Sequence, residues 1–301
     1  MPNQIVQIGR RRVTLTNLEK ALYPSGFTKA QIIDYYSRVA PVLLPHLRGR
    51  GITLKRYPSG TAAGHFFEKQ CPPHRPAWIK TASVPRQVRE GDIDYCLVED
   101  AAALAWVANL AAIELHVPLA RATHWDRPTE MVFDLDPGAP ADVLDCCRFG
   151  LRFADALAKL GLKSFAKTSG GKGLHVYVPL NTAGVTFDDT KAFARAMAMI
   201  FERQNPKHVT STMTRRLRGG KVFIDWSQND RTKTTVSAYS LRAKEAPTVS
   251  TPVTWAEVEA AAARGDAAGL IFSPADVLAR IERHGDPFAP VLKLKQKLPH
   301  V

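Results

Sequence analysis

Apolar residues recur along this chain in two periods, and the switches between them mark out its elements. Thr16-Asn17-Leu18-Glu19 and Thr28-Lys29-Ala30-Gln31 both have the spacing of a capping box, and the second predicts a helix through IIDYYSRVAPVL. A helical segment is therefore expected over residues 12–50. Ile52 to Tyr57 alternates as a strand, turns at Pro58-Ser59-Gly60, and returns in a second strand holding His65-Phe66-Phe67, which predicts a hairpin. Asp100 caps a helix through AAALAWVANLAA, after which IELHVPL returns to strand character.

Further on, MVFDLDPG predicts a short strand closed by Pro-Gly, followed by an apolar helix through LDCCRFGLRFADALAKL. Lys163 to Thr168 and Leu174 to Leu180 flank Ser169-Gly170-Gly171-Lys172-Gly173, the pattern of two strands joined by a glycine-rich loop. A helix from Asp188 to Gln204 precedes the strand VFIDW; TTVSAYSLRA reads as one more strand, and two helices follow, the second capped by Ser273. The tail VLKLKQKLPHV is basic and is expected to fray. Hairpins among interleaved strands and helices exclude a purely parallel sheet. The expected class is α+β, with mixed or antiparallel sheets flanked by helices in two closely joined lobes. No repeat or linker marks a boundary, so residues 1–301 are read as one domain.

Composition narrows the partners. Of 301 residues, 45% are hydrophobic and 23% charged, as in ordinary globular proteins, so collagen-like, disordered and coiled-coil classes drop out. No apolar run reaches the roughly 18 residues of a membrane helix, and MPNQIVQIGRRRVTL lacks a signal peptide's apolar core. A cytoplasmic protein is expected. Cys71, Cys96, Cys146 and Cys147 contain no CxxC pair, which favours reduced thiols. Cys71-Pro72-Pro73-His74 has no second ligand pair and reads as a structural turn rather than a zinc site. The net charge of +13 points to a polyanion, with nucleic acid the first candidate.

Within a strand, residues two apart share a face, so Asp134 and Asp136 project together while Leu135 points into apolar packing. Two carboxylates so close favour a hard divalent cation between them. Alone, DxD is more often a polar strand end entering a turn. Asp225 changes the balance: large apolar neighbours flank it in FIDW, and a charge in such a place needs a partner. That partner is either an arginine or a metal shared with Asp134 and Asp136, the acidic set that phosphoryl-transfer enzymes place around two ions. The loop Ser169–Gly173 offers glycine amides, a hydroxyl and Lys172 to an anion, with His175 on the strand behind. It is not a Walker A loop, since Gly173 follows Lys172 and no helix begins there.

Together FDLDP, TSGGKGLHVYVPL, FIDWSQN and SAYSLRA resemble the polymerase domain of bacterial ATP-dependent DNA ligase D, in the archaeo-eukaryotic primase superfamily. The resemblance runs from TNLEKALYP through LKRYPSG and HFFEKQ to FAPV, essentially the whole chain. It implies a primase-polymerase fold and a DNA-end repair polymerase that adds ribonucleotides, and deoxyribonucleotides, to a primer 3′-OH in non-homologous end joining. Under it, Asp134, Asp136 and Asp225 hold two Mn²⁺ or Mg²⁺ ions, with Mn²⁺ preferred. Ser169, Lys172 and His175 face the phosphates of the incoming NTP or dNTP; Lys55 and Arg242 are further nucleotide contacts. His116, otherwise readable as a core histidine, neighbours the active site.

The resemblance also implies that Lys20 and Lys29 grip the 5′-phosphate of a gapped or overhanging duplex, although each alone reads as a solvated helix lysine. Phe66 and Phe67 match an aromatic pair that stacks on the template, and period-2 alternation predicts that one of them faces the core instead. Arg215, Arg216, Arg218 and Lys221 form a basic cluster suited to backbone or triphosphate contact, Arg218 among the nucleotide ligands. Ku and a ligase module are the implied partners, and the nucleoid the implied place. Nothing in the chain resembles a ligase or phosphoesterase module, so it is expected to be an excised domain or a stand-alone relative. The competing classes are an Mn²⁺-dependent DxD nucleotide-sugar transferase, which leaves the basic charge unexplained, and a non-catalytic DNA-bridging module, which leaves three carboxylates unexplained.

Overall fold

The computed structural model describes residues 3–85 and 90–299. Among them are six α-helices: α1 (Lys29–Leu47), α2 (Ala101–Asn109), α3 (Val143–Lys159), α4 (Phe187–Gln204), α5 (Trp255–Arg264) and α6 (Pro274–His284). None is long and apolar enough to cross a membrane. The chain divides into two compact units, one of Met1–Thr123, Thr234–Val249 and Ser273–Gly285, the other of His124–Lys233, Ser250–Phe272 and Asp286–Val301. Because the chain passes repeatedly from one unit to the other, no linker composition could have marked the division.

The first unit contains a four-stranded antiparallel sheet in the order Thr235–Val236, Ala112–Val117, Thr53–Arg56, Phe66–Glu68. Helix α1 begins at the expected capping box, where Thr28 and Gln31 exchange side-chain and backbone bonds. It buries Ile32, Tyr35, Tyr36, Val39 and Leu43 at helical spacing. The hydroxyls of Tyr35 and Tyr36 donate to the carbonyls of Tyr239 and Ile113, so these deeply buried rings carry no unsatisfied polar end.

Three expectations fail in this unit. No helix starts at Thr16: Gln4–Ile8 and Arg11–Leu15 form a hairpin, and helix in the 12–50 region is confined to α1. Val13 and Leu15, buried two residues apart, follow the strand period, and the Thr16 N–H donates to Asn109 Oδ1 instead of to a capping partner. TTVSAYSLRA is two strands rather than one. Thr235–Val236 joins the four-stranded sheet while Leu241–Arg242 pairs with Thr248–Val249, and between them Tyr239 takes a positive φ of 64° that breaks the strand. Cys71 and Cys96 form a disulfide across 25 residues, correcting the expectation of reduced thiols; Cys146 and Cys147 are free and buried. The Cys71 N–H donates to the Asp94 carbonyl, so the two sulfurs meet through tertiary pairing that spacing does not reveal.

The second unit is built on a six-stranded sheet in the order Val209–Thr210, Val222–Asp225, Glu130–Pro137, Leu174–Pro179, Phe165–Thr168, Pro252–Val253, antiparallel except for the first pair. Helices α3 and α4 cover one face. There Phe133 packs on Phe153, whose ring stacks on Phe201 at 3.9 Å between centroids. Gly150 lets α3 come close, since a Cβ at that position would stand 2.7 Å from Leu174 Cδ2. Phe133 and Leu135 point into this core, so alternation sends Asp134 and Asp136 to the opposite face. The basic tail does not fray at its start. Gln296 bonds the backbone of Lys163, Pro179 and Leu180, and Asn181 holds the carbonyls of Val291 and Leu294. His300 and Val301, which complete the tail, lie outside the described residues.

Candidate active site

On the face of the six-stranded sheet opposite that core, registration brings candidate functional side chains into one row. Asp134 stands opposite Asp225 on one side and His175 on the other, and His175 stands opposite Lys167 on the next strand. His175 is buried, with Nε2 3.1 Å from Asp134 Oδ1. Asp225 Oδ1 accepts the Ser227 N–H and hydroxyl at 3.0 and 2.6 Å, and Oδ2 accepts the Gln228 amide at 2.9 Å. Lys233 donates in turn to the Ser227 hydroxyl. Asn229, fully buried, both accepts from and donates to the backbone of Val132. The turn after Asp225 is thereby tied to the strand that carries Asp134.

Asp136 lies one step along, opposite Phe223, and the Arg218 guanidinium sits 3.5 Å from the Phe223 ring centroid. Gly138 makes this possible: a Cβ there would fall 2.0 Å from the Arg218 carbonyl oxygen. Arg215 and Arg216 are exposed, while the Lys221 ammonium is bound to the Pro206 carbonyl. The glycine loop closes on itself. Ser169 Oγ accepts the Gly171 and Gly173 N–H groups at 3.1 and 3.0 Å, which shapes the turn, and Lys172 is left exposed at its tip. Gly173 presses against the acidic strand, where a Cβ would meet Leu135 O at 2.4 Å.

Burial, and next the charge of Asp134, raises the Asp136 carboxyl to about 6; Lys172 and Arg218 work against that rise and Asp225 adds to it. Among the described residues no three His, Cys, Asp or Glu side chains close around a common point. What the face presents is an open half-shell of hard oxygen donors with crowded negative charge. That donor set fits a small, hard dication.

The first unit gathers basic groups. Lys55, His116 and Arg242 surround the buried Glu114, with Lys55 Nζ 5.4 Å from the centroids of both the Tyr57 and Phe67 rings. Burial lowers the His116 pKa, and the Glu114 hydrogen bond offsets part of that. Phe66 and Phe67 are 45% and 53% exposed, so neither faces the core. Their strand is the sheet edge, open on both sides: Phe66 lies under Arg56, and Phe67 meets Lys55 and His116.

Lys20 and Lys29 adjoin one another, since the Lys29 N–H donates to the Lys20 carbonyl. Neither is a solvated helix lysine. Lys20 sits in a turn with Nζ on the Pro58 carbonyl, whereas Lys29 is 6% exposed at the first turn of α1 with Nζ on Thr16 Oγ1 and the Asn109 carbonyl. Burial, and after it Lys20, lowers the Lys29 pKa.

Sequence reasoning missed Glu114, Asn229 and Lys167. Lys167 is fully buried, donates to Ser250 Oγ at 2.7 Å and lies over the Tyr177 ring. Alternation offered one signal for Glu114: it and His116 are two apart in an apolar strand and must share a face.

A family model described as the LigD primase-polymerase domain matches residues 28–288. The chain is 44% identical over 285 residues to the multifunctional non-homologous end joining DNA repair protein LigD of Mycobacterium tuberculosis, covering 92% of this chain and 36% of that protein. It is 30% identical over 278 residues to the bifunctional non-homologous end joining protein LigD of Bacillus subtilis, covering 92% and 44%. It thus spans under half the length of these relatives. Among solved structures, the polymerase domain from Mycobacterium tuberculosis ligase D in complex with DNA matches with a TM-score of 0.85 and 42% identity, over 95% of this chain and 99% of that one.

Proposed function

The chain belongs to the LigD primase-polymerase domain family, and from that premise we propose that it is a metal-dependent nucleotidyltransferase that fills gaps and extends DNA ends in non-homologous end joining. The observation that carries this reading is the registered row Asp225, Asp134, His175 with Asp136 beside it, against the glycine loop. Asp134, Asp136 and Asp225 would hold two Mn²⁺ or Mg²⁺ ions, which supply the charge that activates a primer 3′-OH and neutralises the leaving pyrophosphate. His175 orients Asp134, while Ser227 and Gln228 orient Asp225. Lys172 and Arg218 of the second unit would offer donors to the phosphates of a nucleoside triphosphate, and so, in the first unit, would Lys55, His116 and Arg242; ribonucleotides are preferred and deoxyribonucleotides accepted.

Phe66 and Phe67, exposed on opposite faces of the edge strand beside Arg56 and Lys55, would each offer a ring on which a base stacks. Family continuity from 28 to 288 supports one functional domain across both units. Ku and a ligase activity are the proposed partners, on cytoplasmic, nucleoid-associated DNA ends. A nucleotide-sugar transferase is not favoured, because neither the +13 charge nor the lysine pair serves it.

Primer extension on a gapped duplex with each nucleotide type and Mn²⁺ or Mg²⁺ tests the activity; no incorporation under any combination ends this reading. For the end contact, a duplex with a 5′-phosphate should bind about tenfold more tightly than one with a 5′-hydroxyl, as one charge-assisted contact contributes. Lys20→Ala with Lys29→Ala should erase the difference while general DNA affinity survives through the remaining basic groups. Equal parent affinities for both duplexes remove the clamp.

A further inference from the structure

Glu114 lies in the middle of strand Ala112–Val117, and its side chain is only 2% exposed. Oε1 accepts the Tyr57 hydroxyl at 3.1 Å and the Ala243 N–H at 3.2 Å, with Lys55 Nζ at 3.5 Å. Oε2 is 3.0 Å from His116 Nε2 and 3.4 Å from Arg242 Nε. The partners arrive from three strands: Lys55 directly opposite Glu114 in the ladder, His116 two residues on, and Arg242 from Leu241–Arg242.

A buried ion pair that served stability alone would balance its charges, because each uncompensated buried charge is costly. Here two fixed cations and a histidine meet one carboxylate, so a positive surplus remains. Exposure shows which way it points. Lys55, His116 and Arg242 keep 16, 13 and 20% of their side-chain surface open while Glu114 keeps 2%, so the carboxylate is the innermost of the four and the basic side chains lie between it and the surface. Long basic side chains lose most when left to roam, and a carboxylate behind them removes that freedom before a ligand arrives.

We propose that Glu114 is the positioning residue of the nucleotide site, holding Lys55 and Arg242 as donors toward the anionic groups of a nucleoside triphosphate and fixing the orientation of His116 beside them. This rests on the reading of the chain as a nucleotidyltransferase. Glu114 touches no substrate; it acts through three groups that do.

The test is Glu114→Gln, which keeps the shape and an oxygen for Tyr57 and Ala243 but removes the charge. ATP with Mn²⁺ is the probe, measured by equilibrium binding and by steady-state extension. The Kd and KM for ATP should rise about tenfold while kcat changes by less than about threefold and gapped-duplex affinity stays constant. A merely structural Glu114 would instead lower the melting temperature and depress kcat and DNA binding together. Tyr57→Phe, which removes one support and leaves every charge in place, should raise KM about two- to threefold and serves should the first variant misfold. Glu114→Gln combined with Arg242→Ala should cost less than the sum of the single changes, because both act through one contact. ATP binding by the parent, unchanged in both variants, overturns the positioning role alone. A parent that binds no ATP overturns that role and the nucleotidyltransferase reading together.

Discussion

On strand Glu130–Pro137 two carboxylates share a face with Asp225 across the ladder, and Lys172 and Arg218 offset part of their charge. Around Glu114 the proportion is inverted, with one carboxylate behind Lys55, His116 and Arg242. Both regions place like charges closer than water would leave them; register enforces it on the acidic face, while around Glu114 register sets Lys55 and His116 and Arg242 arrives from a separate two-stranded pairing. The supports differ. The acidic groups are aimed individually, Asp134 by His175 and Asp225 by Ser227 and Gln228, as groups are when they must converge on small ions. The basic groups share a single anchor, which suits a larger, multiply charged anion gripped at several points. A stored surplus of one sign is therefore legible as the opposite sign of the ligand.

The comparison is broken most strongly at Asp134. Asp134→Asn should reduce primer extension about a thousandfold or more, the scale of several kcal/mol of lost charge stabilisation, with gapped-duplex affinity nearly constant. Near-normal extension would remove the acidic face from the chemistry; the Glu114 variant, by contrast, should act on KM. A smaller effect is expected at Gly173, where an added Cβ meets Leu135 O at 2.4 Å and Asp136 Oδ1 at 3.2 Å. Gly173→Ala should cost about 1–3 kcal/mol in urea denaturation, as overpacking does, because backbone must move. An unchanged midpoint would mean that the loop does not rest on the acidic strand.

The smallest effect sharpens the charge argument itself. Asp136 titrates near 6 rather than 3.8, so between those values the metal-free folded protein holds a proton that the unfolded chain has released. Stability should therefore fall as pH rises through that window, with the penalty complete above about 6. Asp136→Asn should raise the melting temperature of metal-free protein by about 2 °C at pH 8 and by nothing near pH 3. Equal shifts at both pH values would assign the effect to packing.

Much of the architecture was legible in the residues. Capping boxes and 3.6-residue periodicity located α1 and α6 from their caps, and alternation placed Asp134 and Asp136 on one face, because these are local rules acting within a few residues. The long motifs singled out Asp225, which stands on the acidic face, and Ser169 and Lys172, which lie in the loop beside it. Local spacing misled at Thr16, where a capping pattern lost to a hairpin whose Val13 and Leu15 are buried by tertiary packing. It was silent on the Cys71–Cys96 bond, on Asn229 gripping Val132, and on the convergence around Glu114 of groups as distant in sequence as Lys55 and Arg242. Those depend on pairing between segments far apart in the chain; for Lys55 and Glu114 it is strand register, where a one-residue slip would send the side chain to the other face. The residues determined which chemistries were available and along which faces; only strand pairing decided which charges meet.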